Sequence, residues 1–219
     1  MQVYDRLFDA YGPQGWWPGA ESPIEVCVGA ILTQSAAWTN VEKALARLKE
    51  AGALSLEAIH AMSQEELAEL VHASGYFNVK ARKLKAFAQH VHERHGGDLD
   101  AMLAQPWEAL RAELLGVYGI GEETADDIVL YAAGAPSFVM DAYTRRILSR
   151  LGVEAADERY ESYRRLFMDA LPPDARMFNE YHALLDKLAK DVCRKRGPRC
   201  GECPLLDLCP TGLGEVEAD

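Results

Sequence analysis

Four cysteines crowd the C-terminal end of the chain. Cys193, Cys200, Cys203 and Cys209 follow the spacing C-x6-C-x2-C-x5-C within CRKRGPRCGECPLLDLC. A stretch this short cannot enclose an apolar core of its own, but four thiolates this close together can form the shell of one metal centre. Two disulfides are the alternative. They require an oxidising compartment, and nothing in the sequence points to one. Spacing alone fits a four-cysteine zinc site and a [4Fe–4S] cluster equally.

The remaining residues bound the fold. The chain has 219 residues, 49% of them hydrophobic, enough for one large domain or two smaller ones sharing a core. No apolar run reaches the length of a membrane span. The opening MQVYDRLFDAYG is broken by acids and lacks an apolar signal core. A soluble, cytoplasmic protein is therefore expected, nucleoid-associated if bacterial. The net charge of −11 argues on its face against a nucleic-acid partner, but its distribution matters more than its sum. VKARKLKAF places Lys80, Arg82, Lys83 and Lys85 together without an acid, which as pattern alone fits a solvated helix face as well as a phosphate site. Arg194, Lys195, Arg196 and Arg199 fall between the first two clustered cysteines. A metal-closed loop rich in Arg and Lys suits phosphate contact.

Helical periodicity runs almost throughout, with no convincing alternating strand, so the class is all-α with about ten helices. Pro23 opens PIEVCVGAILTQ, apolar nearly all round and expected to be buried, with Cys27 as a core thiol. Asn40 is read as the cap of VEKALARLKEAG, and Ser63 with Glu66 as a capping box. Lys80 to His95 form an amphipathic helix closed by Gly96-Gly97, and Pro106 begins the next. His90, His92 and His95 read as a solvated helix end, because no matching acids accompany them in sequence. Between two further helices stands Tyr118-Gly119-Ile120-Gly121, where glycines permit a tight turn and leave helix-start N–H groups open to an anion. As pattern alone this is also a plain helical corner. Beyond it Val139-Met140-Asp141 sets an acid after an apolar stretch and before the basic helix AYTRRILSRLG, which the aspartate can cap.

In VYGIGEETADDIVLYA, VMDAYTRRILSRLG and the cysteine spacing, taken in that order, the chain resembles the endonuclease III family of helix-hairpin-helix DNA glycosylases over nearly its whole length. The resemblance implies a six-helix barrel domain over 22–133 and an iron–sulfur domain from 1–21 with 134–219, the DNA cleft lying between them. It implies a [4Fe–4S] cluster on Cys193, Cys200, Cys203 and Cys209, and DNA contacts from Gly119, Gly121, Thr124, Arg194, Lys195 and Arg196. Asp141 becomes the catalytic carboxylate, stabilising the oxocarbenium-like sugar formed as the flipped base departs. The implied partner is double-stranded DNA holding a damaged base, with a downstream abasic-site endonuclease and the enzyme acting as a monomer.

One departure is informative. Family members that also cut the strand carry a lysine at the start of the hairpin's second helix, and here that position is Glu123. A carboxylate forms no imine, and no lysine lies between Lys85 and Lys187. A monofunctional enzyme is expected. Trp16-Trp17-Pro18 and Ile31-Leu32-Thr33-Gln34 with Trp38 resemble the 3-methyladenine branch, in which aromatic rings sandwich a flipped, cationic purine. Gln34, or Ser35 beside it, falls where the family fills the hole left by the flipped nucleotide. Two rivals remain: an endonuclease III-type enzyme for oxidised pyrimidines, and a non-catalytic iron–sulfur DNA-binding protein.

Overall fold

The computed structural model describes residues 1–17 and 20–218. Its α-helices are α1 (Gln2–Tyr11), α2 (Pro23–Leu32), α3 (Trp38–Glu50), α4 (Leu56–Ala61), α5 (Gln64–Leu70), α6 (Phe77–His95) and α7 (Leu99–Leu103). They continue as α8 (Trp107–Leu115), α9 (Glu122–Asp127), α10 (Ala142–Arg150), α11 (Tyr160–Met168), α12 (Ala175–Asp191) and α13 (Pro210–Ala218). A π-helical stretch, Ile128–Ala132, extends α9. Among the described residues there is no strand, and the class is all-α. The chain divides into two compact units, one of Gly19–Ala135 and one of Met1–Pro18 with Pro136–Asp219.

In the Gly19–Ala135 unit, α2 is the buried centre. Every residue from Glu25 to Leu32 is buried, as an all-round apolar helix requires, and α3, α6, α9 and the π-helical stretch pack on it. Cys27 is fully buried, and desolvation pushes its thiol up to about 12. The buried Glu25 carboxylate is answered by Lys49 Nζ at 2.8 Å and by the Glu21 N–H at 3.0 Å. Ser63 and Glu66 form the reciprocal capping box, a device that typically stabilises a helix by about 1 kcal/mol. Two expected boundaries move. Helix α3 begins at Trp38 with Ala37 as its cap, so Asn40 lies inside the helix. Helix α6 starts at Phe77, three residues before Lys80.

Two lysines of the basic run on α6 are engaged inside the fold. Lys80 is buried and donates to the carbonyls of Leu32 (2.7 Å) and Ser74 (2.6 Å), with burial pulling its ammonium down to about 8. Lys85 donates to the carbonyls of His60 and Met62, both at 2.6 Å. Arg82 lies over the Tyr118 ring at 4.1 Å. Lys80 and Lys85 thus satisfy carbonyls at the ends of helical segments.

In the other unit, α1 and α10 pack on α12. Phe138 stacks on Phe167 at 3.8 Å and meets Phe178 and Tyr181 edge-on at 5.5 and 5.7 Å. Buried Arg164 donates to Ser137 Oγ at 2.8 Å. This aromatic cluster fixes Phe138–Met140, the segment that leads into Asp141.

Candidate active site and cysteine centre

Asp141 is the N-cap of α10. Its Oδ1 accepts from the Thr144 N–H at 2.7 Å, so the carboxylate is held in one place by the start of the helix it caps. The preceding Met140 N–H donates to Tyr160 Oη at 3.1 Å. His182, buried on α12, brings Nε2 to 4.0 Å from Asp141 Oδ1. That histidine was not singled out from sequence: it occupies one position of an otherwise apolar face.

Helix α10 also reaches the cysteines. Arg146 Nε donates to the Cys193 carbonyl at 3.0 Å and Arg146 Nη2 to that of Ala189 at 3.2 Å. Arg150 Nη1 donates to the Arg194 carbonyl at 2.8 Å and to Cys193 Sγ at 3.2 Å. The Gly212 N–H donates to Cys209 Sγ at 3.3 Å. All four cysteines line one cavity of about 180 Å³, and all are free thiols. Burial holds the Cys200 and Cys203 thiols above their usual value. A shared cavity with N–H donors aimed at sulfur suits four thiolates around one centre. In the connecting loop Lys195 and Arg196 are exposed, while Arg194 is half-buried and its Nε reaches the Lys190 carbonyl at 3.4 Å.

The hairpin joins α8 to α9. Gly119 has φ +84°, and a Cβ there would run into the Lys83 side chain, so glycine is required on two counts. Gly121, the α9 N-cap, has an ordinary φ and open space around it. Gln34 is fastened to this turn: its Nε2 donates to the Gly119 carbonyl at 3.0 Å and to Thr124 Oγ1 at 2.8 Å, and Lys83 donates to its Oε1. Thr124 is buried, and its hydroxyl accepts from Gln34. Ser35 is exposed with φ +54°, an uncommon left-handed conformation for a residue with a Cβ. Glu123 is exposed in the first turn of α9.

The aromatic residues are positioned as follows. Trp16 and Trp17 lie edge to face at 6.1 Å, the Trp16 carbonyl accepts from Asn179 Nδ2 at 2.6 Å, and Lys190 Nζ sits 5.5 Å from the Trp16 ring centre. Pro18 lies outside the described residues. Trp38, at the start of α3, donates from Nε1 to Glu42 at 2.9 Å.

The model of the family described as HhH-GPD superfamily base excision DNA repair protein matches residues 28–173. The chain belongs to that superfamily. Over 209 residues it is 42% identical to a putative DNA repair glycosylase of Methanocaldococcus jannaschii, covering 95% of this chain and 94% of that protein. Over 201 residues it is 28% identical to the thymine-DNA glycosylase of Aeropyrum pernix, covering 88% and 84%. Endonuclease III in a non-covalent DNA complex matches with a TM-score of 0.85 at 23% identity, covering 99% of this chain and 96% of that one. The H. pylori 3-methyladenine DNA glycosylase bound to 1,N6-ethenoadenine matches with a TM-score of 0.75 at 26% identity, covering 86% and 96%. This HhH-GPD protein is a DNA glycosylase.

Proposed function

We propose that this HhH-GPD glycosylase is monofunctional and releases alkylated purines such as 3-methyladenine from double-stranded DNA, with Asp141 as its catalytic carboxylate. The observation that carries the reading is the Asp141 carboxylate, fixed by the Thr144 N–H at 2.7 Å. Departure of the base leaves positive charge on the sugar, and a carboxylate that is already oriented stabilises it without reorganising. The same group directs the attacking water. His182 stands beside it, Nε2 4.0 Å from Oδ1. Glu123 stands in the first turn of α9 and offers no amine, so water attacks and the strand stays intact. The product is an abasic site, which a downstream abasic-site endonuclease must process.

The hairpin around Gly119 and Gly121 and the exposed Lys195 and Arg196, with Arg194, are the proposed phosphate contacts. For Thr124 only the main chain can take part. Ser35, exposed at its loop, is the better placed of the two plug candidates, because the Gln34 amide is already engaged by Gly119, Thr124 and Lys83. Cys193, Cys200, Cys203 and Cys209 would hold a [4Fe–4S] cluster, whose contribution when bound is to cross-link the Arg- and Lys-bearing loop.

The substrate reading rests on Trp16, Trp17 and Trp38, whose indoles favour a cationic purine by about 2 kcal/mol, or roughly thirtyfold, once desolvated. One observation favours the rival, a glycosylase for oxidised pyrimidines: Lys190 already presents a cation to the Trp16 ring. Base release from methylated, thymine glycol and uracil duplexes by cluster-loaded protein separates the two. Release of the methylated purine alone supports the proposal. Efficient excision of thymine glycol without it transfers the reading to the rival, and no release from any duplex leaves a DNA-binding protein.

A further inference from the structure

Helix α6 ends at His95, and α8 brings one carboxylate against two of its imidazoles. His90 Nε2 and His95 Nε2 each lie 2.7 Å from Oε1 of Glu113, and the three prospective ligand atoms fall within 4.8 Å of one another. Their side chains are 22%, 16% and 13% exposed, sheltered yet open to an ion and a water molecule. The other carboxylate oxygen accepts from Gln105 Nε2 at 2.9 Å, and that amide also donates to the Met102 carbonyl at 3.1 Å. An outer partner of this kind orients a ligating carboxylate. His92 is not part of the group; it stacks on His60 at 4.4 Å. The histidines are thus not the simple solvated helix end that the sequence suggested, because the missing acid arrives from α8.

We propose that His90, His95 and Glu113 form a second metal site, for a divalent ion of zinc's class. Two imidazole nitrogens and one carboxylate oxygen make a three-ligand set that zinc completes with water, whereas calcium and magnesium favour all-oxygen shells. Tetrahedral bonds of about 2.0–2.1 Å place ligand atoms roughly 3.3 Å apart. The contacts from each histidine to Oε1 must therefore open by about half an ångström, within reach of side-chain rotation. In the metal-free protein both imidazoles hydrogen-bond the same carboxylate oxygen. The site belongs to the Gly19–Ala135 unit and the cysteines to the other, and it contains no sulfur. An ion here would clamp α6 to α8, the first helix of the hairpin.

Cluster-loaded protein equilibrated with zinc chloride and then passed over a chelating resin tests this. The expected result is one zinc per chain, an absorption-edge spectrum with nitrogen and oxygen scatterers only, and a raised unfolding temperature. His95→Gln and Glu113→Gln should each lose the zinc. Substoichiometric zinc in the wild type, a sulfur-containing shell, or full retention by both variants would overturn the site. Should Glu113→Gln fail to fold, His90→Gln takes its place, and the wild-type spectrum decides independently of any variant.

Discussion

Replacing Arg111 by Met tests whether the hairpin depends on a buried ion pair between its two helices. Arg111 on α8 grips Asp126 on α9 in a two-pronged contact, Nε to Oδ1 at 2.7 Å and Nη2 to Oδ2 at 3.1 Å. The Asp126 side chain is 0% exposed and that of Arg111 15%, so removing the guanidinium takes a two-pronged, charge-assisted contact from a buried carboxylate. Breaking a buried pair from one side costs about 3–5 kcal/mol. At roughly 2–4 °C per kcal/mol for a chain of this size, unfolding should come about 6–20 °C earlier. Urea and thermal unfolding followed by circular dichroism measure this. The double variant Arg111→Met with Asp126→Leu should recover most of the loss, because an apolar pair of similar volume leaves no charge behind. If the single variant stays within about 1 kcal/mol of the wild type, the pair does not brace the hairpin and the reasoning fails.

Asp141→Asn should lower base release on the order of a hundredfold or more while lesion DNA still binds, since the swap keeps the N-cap but removes the charge; near-normal turnover would reject Asp141 as the catalytic carboxylate. Borohydride should trap no covalent enzyme–DNA adduct, and nicks should appear only with hot alkali or an added abasic-site endonuclease; a trapped adduct would show that some other amine attacks the sugar. Arg194→Ala and Lys195→Ala should each weaken DNA binding regardless of sequence and reduce the salt slope by about one, whereas an unchanged slope would take the loop off the DNA. Lys80 is held down at about 8 from 10.5, so the unfolded chain binds the extra proton between those values. Stability of the wild type relative to Lys80→Met should therefore rise as pH increases from about 8 to 10.5, by at most on the order of 3 kcal/mol; a pH-independent difference in urea unfolding would count against a strained ammonium at this position.

What the sequence revealed and what it concealed divide along the range of the interactions. Caps are local, so Ser63 with Glu66 and Asp141 with Thr144 were legible from adjacent residues. The nearly all-apolar PIEVCVGAIL was expected to be a buried helix, and it is one. Asn40 misled because it had every attribute of a cap, yet the chain enters α3 from Ala37 and uses no side-chain cap at all. The basic run on α6 was ambiguous because the destination of a lysine depends on which carbonyls the fold brings near. The ends of α2 and α4, distant in sequence, claim Lys80 and Lys85, and the nearby Ser74 carbonyl also accepts from Lys80. Glu113 stands 18 and 23 residues from its histidines, beyond the reach of spacing rules, and His182 carried no local mark.

One helix links the features that the sequence presented separately. At its first residue, α10 receives the Asp141 cap; at its last turns, Arg146 and Arg150 hold the backbone of Cys193 and Arg194 and the sulfur of Cys193. The donors of both arginines are turned to carbonyls and a thiol. A rigid helix of nine residues cannot shift its C-terminal end without moving its N-cap. The position of the proposed catalytic carboxylate is therefore tied mechanically to the order of the cysteine loop. The contacts of Arg146 and Arg150 with the Cys193–Arg194 backbone thus join the Thr144 and Tyr160 contacts in setting where Asp141 stands.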